Sequence, residues 1–161
     1  MIVWLFLCLV VLPFGYVLLF GAPYLPTRRL KAKQALEILN LKEGEIFVDL
    51  GSGDGAVLIE AAKRGLICYG YELNPFIWLI SFIRTIKYRR TVTIKLGNFW
   101  NHKLPLNTKA VFVFLLDPYM DKLDKKLKTE LKKGSTLISY TFMVPGKKSI
   151  KAVDALYLYK Y

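Results

Sequence analysis

Three glycines within five residues, at positions 51, 53 and 55, follow directly on a short apolar run over residues 45–50. Glycine lets the backbone turn sharply and lets a ligand approach without a Cβ in the way. A β-rich apolar run that ends in such a cluster is typical of a buried parallel strand. Because an apolar helical pattern follows over residues 56–64, the segment predicts a strand–loop–helix unit with a ligand at its loop.

The chain from residue 26 onward continues to alternate β-rich and helical patterns. Five further runs are predicted as strands: residues 66–72, 91–96, 110–116, 135–142 and 155–161. Three further helices are predicted over residues 27–40, 74–88 and 118–133. Such alternation predicts one α/β domain, residues 26–161, with a doubly wound, mostly parallel, Rossmann-like sheet. Residues 144–161 are too few for another helical crossover, so we expect the last strand to run antiparallel at the sheet edge.

Two carboxylates narrow the choice of ligand for this loop. Asp49 would repel a pyrophosphate but suits the cationic amino-acid end of S-adenosylmethionine. The dinucleotide-binding and Walker A patterns do not fit, because Gly-x-Gly-x-Gly replaces the former and no Lys-Ser/Thr pair follows the loop. Glu72 closes the second strand nineteen residues after Gly53, where a carboxylate accepts both ribose hydroxyls. The alternative for Glu72 is a helix-capping acid before Asn74 and Pro75.

Polar and aromatic residues also follow the third strand. Asn98 could bond the edge of an adenine while Phe99 covers its face. A plain turn is the alternative interpretation.

The segments 26–27, 49–55 and 71–75 resemble a small family of membrane-anchored protein-lysine methyltransferases, whose mitochondrial members act on the ATP synthase c-subunit and the adenine nucleotide carrier. The resemblance implies a class I (seven-β-strand) fold, S-adenosylmethionine as cofactor, and a lysine of a membrane protein as substrate. The predicted cofactor-binding residues are Thr27, Asp49, Gly51, Ser52, Gly53, Gly55, Glu72, Leu73, Asn74, Asn98 and Phe99. Relatives tend to carry an acid where Asn98 stands.

The tripeptide Asp117-Pro118-Tyr119 follows the fourth strand and resembles the Asp/Asn-Pro-Pro-Tyr motif of amine and amide methyltransferases, with one proline fewer. It lies at the strand edge where open α/β sheets bind ligands. We predict Asp117 and Tyr119 as catalytic residues: Asp117 could orient or deprotonate an amine, and Tyr119 could pack against its alkyl stem. Alternatively, Asp-Pro only begins the next helix.

Residues 1–25 contain no charged residue, and the first charge is Arg28. Such a run can span a bilayer as a helix, so we predict a membrane anchor. A cleaved signal peptide is the alternative, but no basic residue precedes the run. Because basic residues flank only its carboxyl side, we expect a single-pass protein with a cytoplasmic domain. Since the segment does not resemble a basic mitochondrial leader, we expect the membrane to be a prokaryotic plasma membrane.

The predicted helix over residues 74–88 is apolar on nearly all sides, and its end is basic. We expect its outer face to rest on the bilayer or on the anchor; an oligomer contact is the alternative. The net charge of +12 favours anionic lipid as a partner over nucleic acid. With one His and two separated Cys, we expect no metal site and no disulfide.

Two other functions remain open at this stage. The enzyme could methylate a lipid or a small hydrophobic molecule, since both acceptors fit an anchored enzyme. A non-catalytic membrane adaptor with this fold is the second alternative, although the retained acids and glycines speak against a decayed site.

Overall fold

The computed structural model describes Trp4, Thr27 and residues 29–161. The strands are β1 (Ile46–Leu50), β2 (Ile67–Glu72), β3 (Val92–Leu96), β4 (Thr108–Val113), β5 (Thr136–Tyr140), β6 (Lys151–Val153) and β7 (Leu156–Lys160). The α-helices are α1 (Arg29–Leu39), α2 (Ala56–Ala62), α3 (Pro75–Thr85) and α4 (Met120–Glu130). Three short 3-10 turns lie at Ile86–Tyr88, Phe99–Asn101 and Asp117–Tyr119.

The seven strands form one sheet in the order β3-β2-β1-β4-β5-β7-β6. The first five pair in parallel, and β7 pairs antiparallel with β5. This confirms the predicted doubly wound sheet with an antiparallel last strand. The order reverses between β1 and β4, so the crevice at their carboxyl ends is the place where such sheets bind ligands.

The expectation that the last strand forms the sheet edge is wrong. An unpredicted strand, β6, lies outside β7 and pairs with it as a hairpin. Both residues of the connecting turn, Asp154 and Ala155, have positive φ angles. The sequence pattern does not predict β6 as a strand, because its three residues are all exposed and include a lysine, as suits an edge strand.

Several element ends also differ from the predictions. Strand β4 ends at Val113 rather than at residue 116, and a 3-10 turn precedes α4. Helix α1 begins at Arg29, two residues after Thr27, and Leu30 is 78% exposed. Its buried face is formed by Ala32, Ala35, Leu36 and Leu39, and the two alanines let the helix lie close against its neighbours.

The core has two parts, one on each face of the sheet. Side chains of α1 and α2 pack on one face around Phe47 and Phe112, and those of α4 pack on the other around Val48 and Val111. Alternate residues of β1 and β4 thus face opposite layers, as the period of a strand requires.

In the part of the chain that the structure describes, no helix combines the length and the apolar character needed to cross a membrane. The predicted anchor over residues 1–25 lies outside the described residues, apart from Trp4.

Candidate active site

The glycine loop is held against the end of β2 by its backbone. The N–H groups of Gly51 and Ser52 both donate to the carbonyl oxygen of Tyr71, each at 2.9 Å. Gly51 and Gly53 have φ angles of 81° and 53°, a region that residues with a Cβ rarely adopt. The loop therefore needs glycine at these positions to turn back over β2.

Glu72 joins the loop to the start of α3. One carboxylate oxygen accepts a hydrogen bond from the Gly53 N–H at 2.9 Å, and the other accepts from the Asn74 N–H at 2.8 Å. Burial raises the pKa of Glu72 above its usual value, and the hydrogen bonds from Asn74, Gly53 and Leu73 only partly offset this. A carboxylate has about four acceptor positions, so Glu72 could still accept a hydroxyl from a ligand.

The cap of α3 is Asn74, not Glu72. The Asn74 Oδ1 atom accepts hydrogen bonds from the N–H groups of Phe76 and Ile77, at 2.9 and 3.3 Å. Pro75 follows as the first helical residue, where its fixed φ suits a helix start. The capping alternative for Glu72 is therefore wrong, because the amide of Asn74 already serves that purpose.

Asp49 is the least solvated acid of the site. It lies at 2% exposure in β1, and burial raises its pKa well above the ordinary value. Repulsion by the carboxylates of Glu72 and Asp54 raises the pKa further. No salt bridge to Asp49 is made by the described residues, so the charged form lacks a cationic partner.

Two buried polar atoms beside these acids also lack partners among the described residues, Ser52 Oγ and Asn74 Nδ2. Buried polar groups are nearly always hydrogen-bonded, so unpartnered ones point to a ligand or to water. A ligand that carries both a cation and hydroxyls would fit this set of groups. Within the described part of the chain, the Asp49 carboxylate lacks a cationic partner, the Glu72 carboxylate can accept further hydrogen bonds, and the two buried atoms lack partners. S-adenosylmethionine carries both a cation and hydroxyls.

The predicted adenine contacts lie beyond the end of β3. Asn98 Oδ1 accepts a hydrogen bond from the Trp100 N–H at 3.1 Å and so begins a 3-10 turn. The Phe99 and Trp100 rings pack with centroids 4.5 Å apart. Gly97 N–H donates to the carbonyl oxygen of Glu72 at 2.8 Å, which ties this turn to the end of β2. The turn interpretation describes Asn98 correctly, and adenine binding stays a prediction.

Asp117 and Tyr119 lie in a 3-10 turn before α4, so the alternative that Asp-Pro begins a helical segment is confirmed. The side chain of Asp117 is exposed, and Tyr119 is half-buried against the α4 layer of the core. Helix initiation and contact with a substrate do not exclude each other. The catalytic roles stay predictions, as do the contacts of Thr27 and Leu73, both half-buried.

Sequence reasoning missed an aromatic cluster at the carboxyl ends of β4 and β5, which we call the strand-end aromatic cluster: Phe114, Tyr140 and Phe142. The Phe114 ring centroid lies 4.8 Å from that of Tyr140 and 6.3 Å from that of Phe142. Between them Thr141 has a φ of 75°, a strained value for a β-branched residue. The available signal was that Phe114 lies near the end of the run over residues 110–116 and that the run over residues 135–142 ends with Tyr140 and Phe142.

The comparisons with known proteins agree with this geometry. Residues 49–151 match the ANTKMT methyltransferase domain. An ATP synthase c-subunit lysine N-methyltransferase from Xenopus laevis is 35% identical over 77% of this chain. A protein-lysine N-methyltransferase from Saccharolobus islandicus (strain REY15A) is 32% identical over 85% of this chain and 92% of its own length.

The chain belongs to the ANTKMT methyltransferase domain family. This confirms the family predicted from the sequence. The chain spans about half the length of the vertebrate relatives it matches, 55% in the Xenopus laevis protein.

A solved structure supports the fold independently. An RNA methyltransferase from Salinibacter ruber, in complex with S-adenosyl-L-homocysteine, superposes with a TM-score of 0.79 over 84% of this chain and 93% of its own. At 23% identity the likeness concerns the fold alone. The class I methyltransferase fold predicted from the sequence is thereby confirmed.

Proposed function

We propose that this chain is an S-adenosylmethionine-dependent methyltransferase that acts at a membrane surface on a lysine amine of a membrane protein. The family supports methyl transfer, and the names of the Xenopus laevis and Saccharolobus islandicus relatives support lysine as the acceptor. The lipid and small-molecule acceptors have no comparable support.

The observation that carries the proposal is the meeting of Asp49, Glu72 and the glycine loop at the point where the strand order reverses. Glu72 would accept the ribose hydroxyls while its carboxylate continues to hold Gly53. Asp49 would attract the cationic end of the cofactor, which would compensate the buried charge. Asn98 and Phe99 would contact the adenine, with Thr27 and Leu73 as further contacts.

When bound, S-adenosylmethionine supplies a methyl group that already carries its own leaving group. The protein then has to align the acceptor and to keep it deprotonated. We assign the orientation or deprotonation of the amine to Asp117, and the contact with its alkyl stem to Tyr119. The strand-end aromatic cluster would form a further wall, because an apolar surface excludes water and thereby lowers the pKa of the amine.

Location at a membrane is the second part of the proposal. The uncharged segment of residues 1–25 supports an anchor, and the net charge of +12 supports contact with anionic lipid on the cytoplasmic side.

The first test measures cofactor binding and methyl transfer with the full-length chain in detergent, using labelled S-adenosylmethionine and membranes from cells that lack the enzyme. We expect Asp49→Asn to weaken cofactor binding roughly ten- to hundredfold, as for loss of a hydrogen bond to a charged group. Asp121→Asn is the matched control, because Asp121 is an exposed acid on α4 paired with Lys125. Equal binding by the Asp49 and Asp121 variants would refute the assigned cofactor site.

The acceptor is identified by where the label goes. A discrete labelled protein band supports a protein-lysine methyltransferase, and label in the organic-solvent extract indicates a lipid acceptor instead. With cofactor binding intact, we expect Asp117→Asn to lower kcat by about a hundredfold or more if Asp117 takes the proton. An unchanged kcat would remove Asp117 from the chemistry.

A further inference from the structure

Helix α3 is unusual in having its apolar side chains on the outside. Its buried stripe consists of one large and two small residues, Ile77, Ser81 and Thr85. Apart from the half-buried Trp78 and Tyr88, the large apolar side chains outside this stripe in α3 and its 3-10 extension are between 37% and 60% exposed: Phe76, Leu79, Ile80, Phe82, Ile83 and Ile86. A sheet-covering helix ordinarily shows the reverse pattern, and a contiguous apolar patch of this kind marks an interaction site.

The carboxyl-terminal end of this face is basic. Lys87, Arg89 and Arg90 are exposed in and just after the 3-10 extension. We call the six exposed apolar residues and these three cations the α3 face. An apolar helix surface flanked by cations is typical of helices that lie in the interface of a bilayer with anionic headgroups.

The net charge of the chain also disfavours a second copy of the chain as the partner that covers the α3 face. Two chains with a net charge of +12 each would repel as their basic ends approached. An anionic bilayer complements both parts of the α3 face: its apolar interior suits the six apolar side chains, and its negative headgroups suit the three cations.

The inner stripe joins α3 to the glycine loop. A Cβ added to Gly55 would lie 2.6 Å from Ser81 Oγ and 3.1 Å from Thr85 Cγ2, so the backbone of the loop rests directly on the helix. Asp54 of the loop also forms an ion pair with Arg84. A surface that contacts α3 from outside is therefore only one helix away from the proposed cofactor site.

We propose that the α3 face docks on an anionic phospholipid bilayer and holds the glycine loop at a fixed distance from the membrane surface. The proposal deepens the membrane-surface location proposed above. Its test does not involve methyl transfer or cofactor binding, so failure here leaves the proposed reaction unaffected.

The test reads the depth of one position in the full-length chain. A nitroxide label is placed at Ile83→Cys in a Cys8→Ser background; the remaining Cys68 is buried. Lys125→Cys on the exposed side of α4 is the matched control, since α4 has the same length as α3. Vesicles contain phosphatidylcholine with or without phosphatidylglycerol, and collisions with oxygen and with a water-soluble nickel chelate report the depth.

We expect the label at position 83 to be accessible to oxygen and protected from nickel in vesicles with phosphatidylglycerol, while the label at position 125 stays in water. Replacing Lys87, Arg89 and Arg90 with Gln should lower the ratio of immersed to water-exposed label roughly fivefold for each cation removed.

Three outcomes would overturn the proposal. A nickel-accessible label at position 83 in both vesicle types would show that the face stays in water. Dipolar broadening between labels, independent of lipid, would show that a second copy covers it. A label protected from both reagents would show that protein, such as the chain's own amino-terminal segment, occupies the face.

Discussion

Helices α3 and α4 are both 11 residues long and cover the same sheet, but they are built in opposite ways. Helix α4 buries Met120, Leu123 and Leu127 and exposes charged residues. Helix α3 buries a largely small, polar stripe and exposes its large apolar residues. Burial of large apolar side chains is the main source of stability, so α4 should contribute more to folding and α3 more to contacts outside the domain.

The largest expected effect separates the two helices directly. Leu123→Ala in α4 should lower the free energy of unfolding by about 2–5 kcal/mol, because it leaves a cavity in the core. Ile83→Ala in α3 should change it by less than about 0.5 kcal/mol, because Ile83 is exposed. Urea unfolding in one detergent, followed by near-ultraviolet circular dichroism, measures both. Comparable losses would mean that the outer side of α3 is packed and the contrast is false.

The contact between α3 and the glycine loop gives the next largest effect. Gly55→Ala should cost about 2 kcal/mol, because φ is +79° and the new Cβ would crowd Ser81 Oγ. Ser81→Ala alone should be nearly neutral, since its buried hydroxyl has no partner among the described residues. The double variant should recover part of the loss. Strict additivity of the two changes in unfolding free energy would show that the contact is not made.

Helix α4 also carries a pH-dependent contact that the buried side of α3 lacks. Burial raises the pKa of Asp124, but hydrogen bonds from Lys128, Tyr161 and Lys147 outweigh it and hold the pKa below the ordinary 3.8. A lowered folded-state pKa contributes stability above pH 3.8 that is lost as the pH falls through the folded value.

Asp124→Asn should therefore lower the unfolding free energy at neutral pH by about 1–2 kcal/mol and flatten its decline in acid. The measurement is the urea midpoint at a series of pH values from neutral to acid. Glu37→Gln is a control, because Glu37 is an exposed acid on α1. An acid slope that Asp124→Asn leaves unchanged would assign the pH dependence to other carboxylates.

The smallest expected effect on the free energy of unfolding concerns a contact that attaches α3 to the sheet, since its buried stripe contains only one large side chain. The indole N–H of Trp78 donates to the carbonyl oxygen of Ile94 in β3 at 3.2 Å. Trp78→Phe removes this bond and should lower the unfolding free energy by about 1 kcal/mol. Faster hydrogen exchange in α3, but not in α4, would show the loosening locally. Equal exchange in both helices would mean that other contacts hold α3.

The same contrast shows what the sequence could predict. The strands β1 and β2, the glycine loop and the two acids were predictable because each depends on neighbours in the chain. The inward direction of the Ser81 and Thr85 side chains was not predictable, because a helix that covers a sheet ordinarily has its polar residues on the solvent side. Gly55 decides this packing, and it lies 26 residues before Ser81.

Features that depend on strand pairing could not be predicted from the sequence either. The strand-end aromatic cluster forms only because β4 and β5 are neighbours, with Val113 opposite Ser139. Strand β6 depends on its hairpin with β7, since its own residues are exposed. Local pattern therefore predicted the glycine loop and the strands around it better than the carboxyl ends of β4 and β5, where pairing between distant strands assembles the residues.

The burial of Asp49 has a consequence for proton balance. Burial and two neighbouring acids raise the pKa of Asp49 well above its ordinary value, and none of the described cationic side chains forms a salt bridge with it. A cationic ligand would lower that pKa again, so its binding would release a proton to the solvent. The affinity for the ligand should then increase with pH up to the pKa of the free site. Below that pKa, acidification would weaken binding of the ligand.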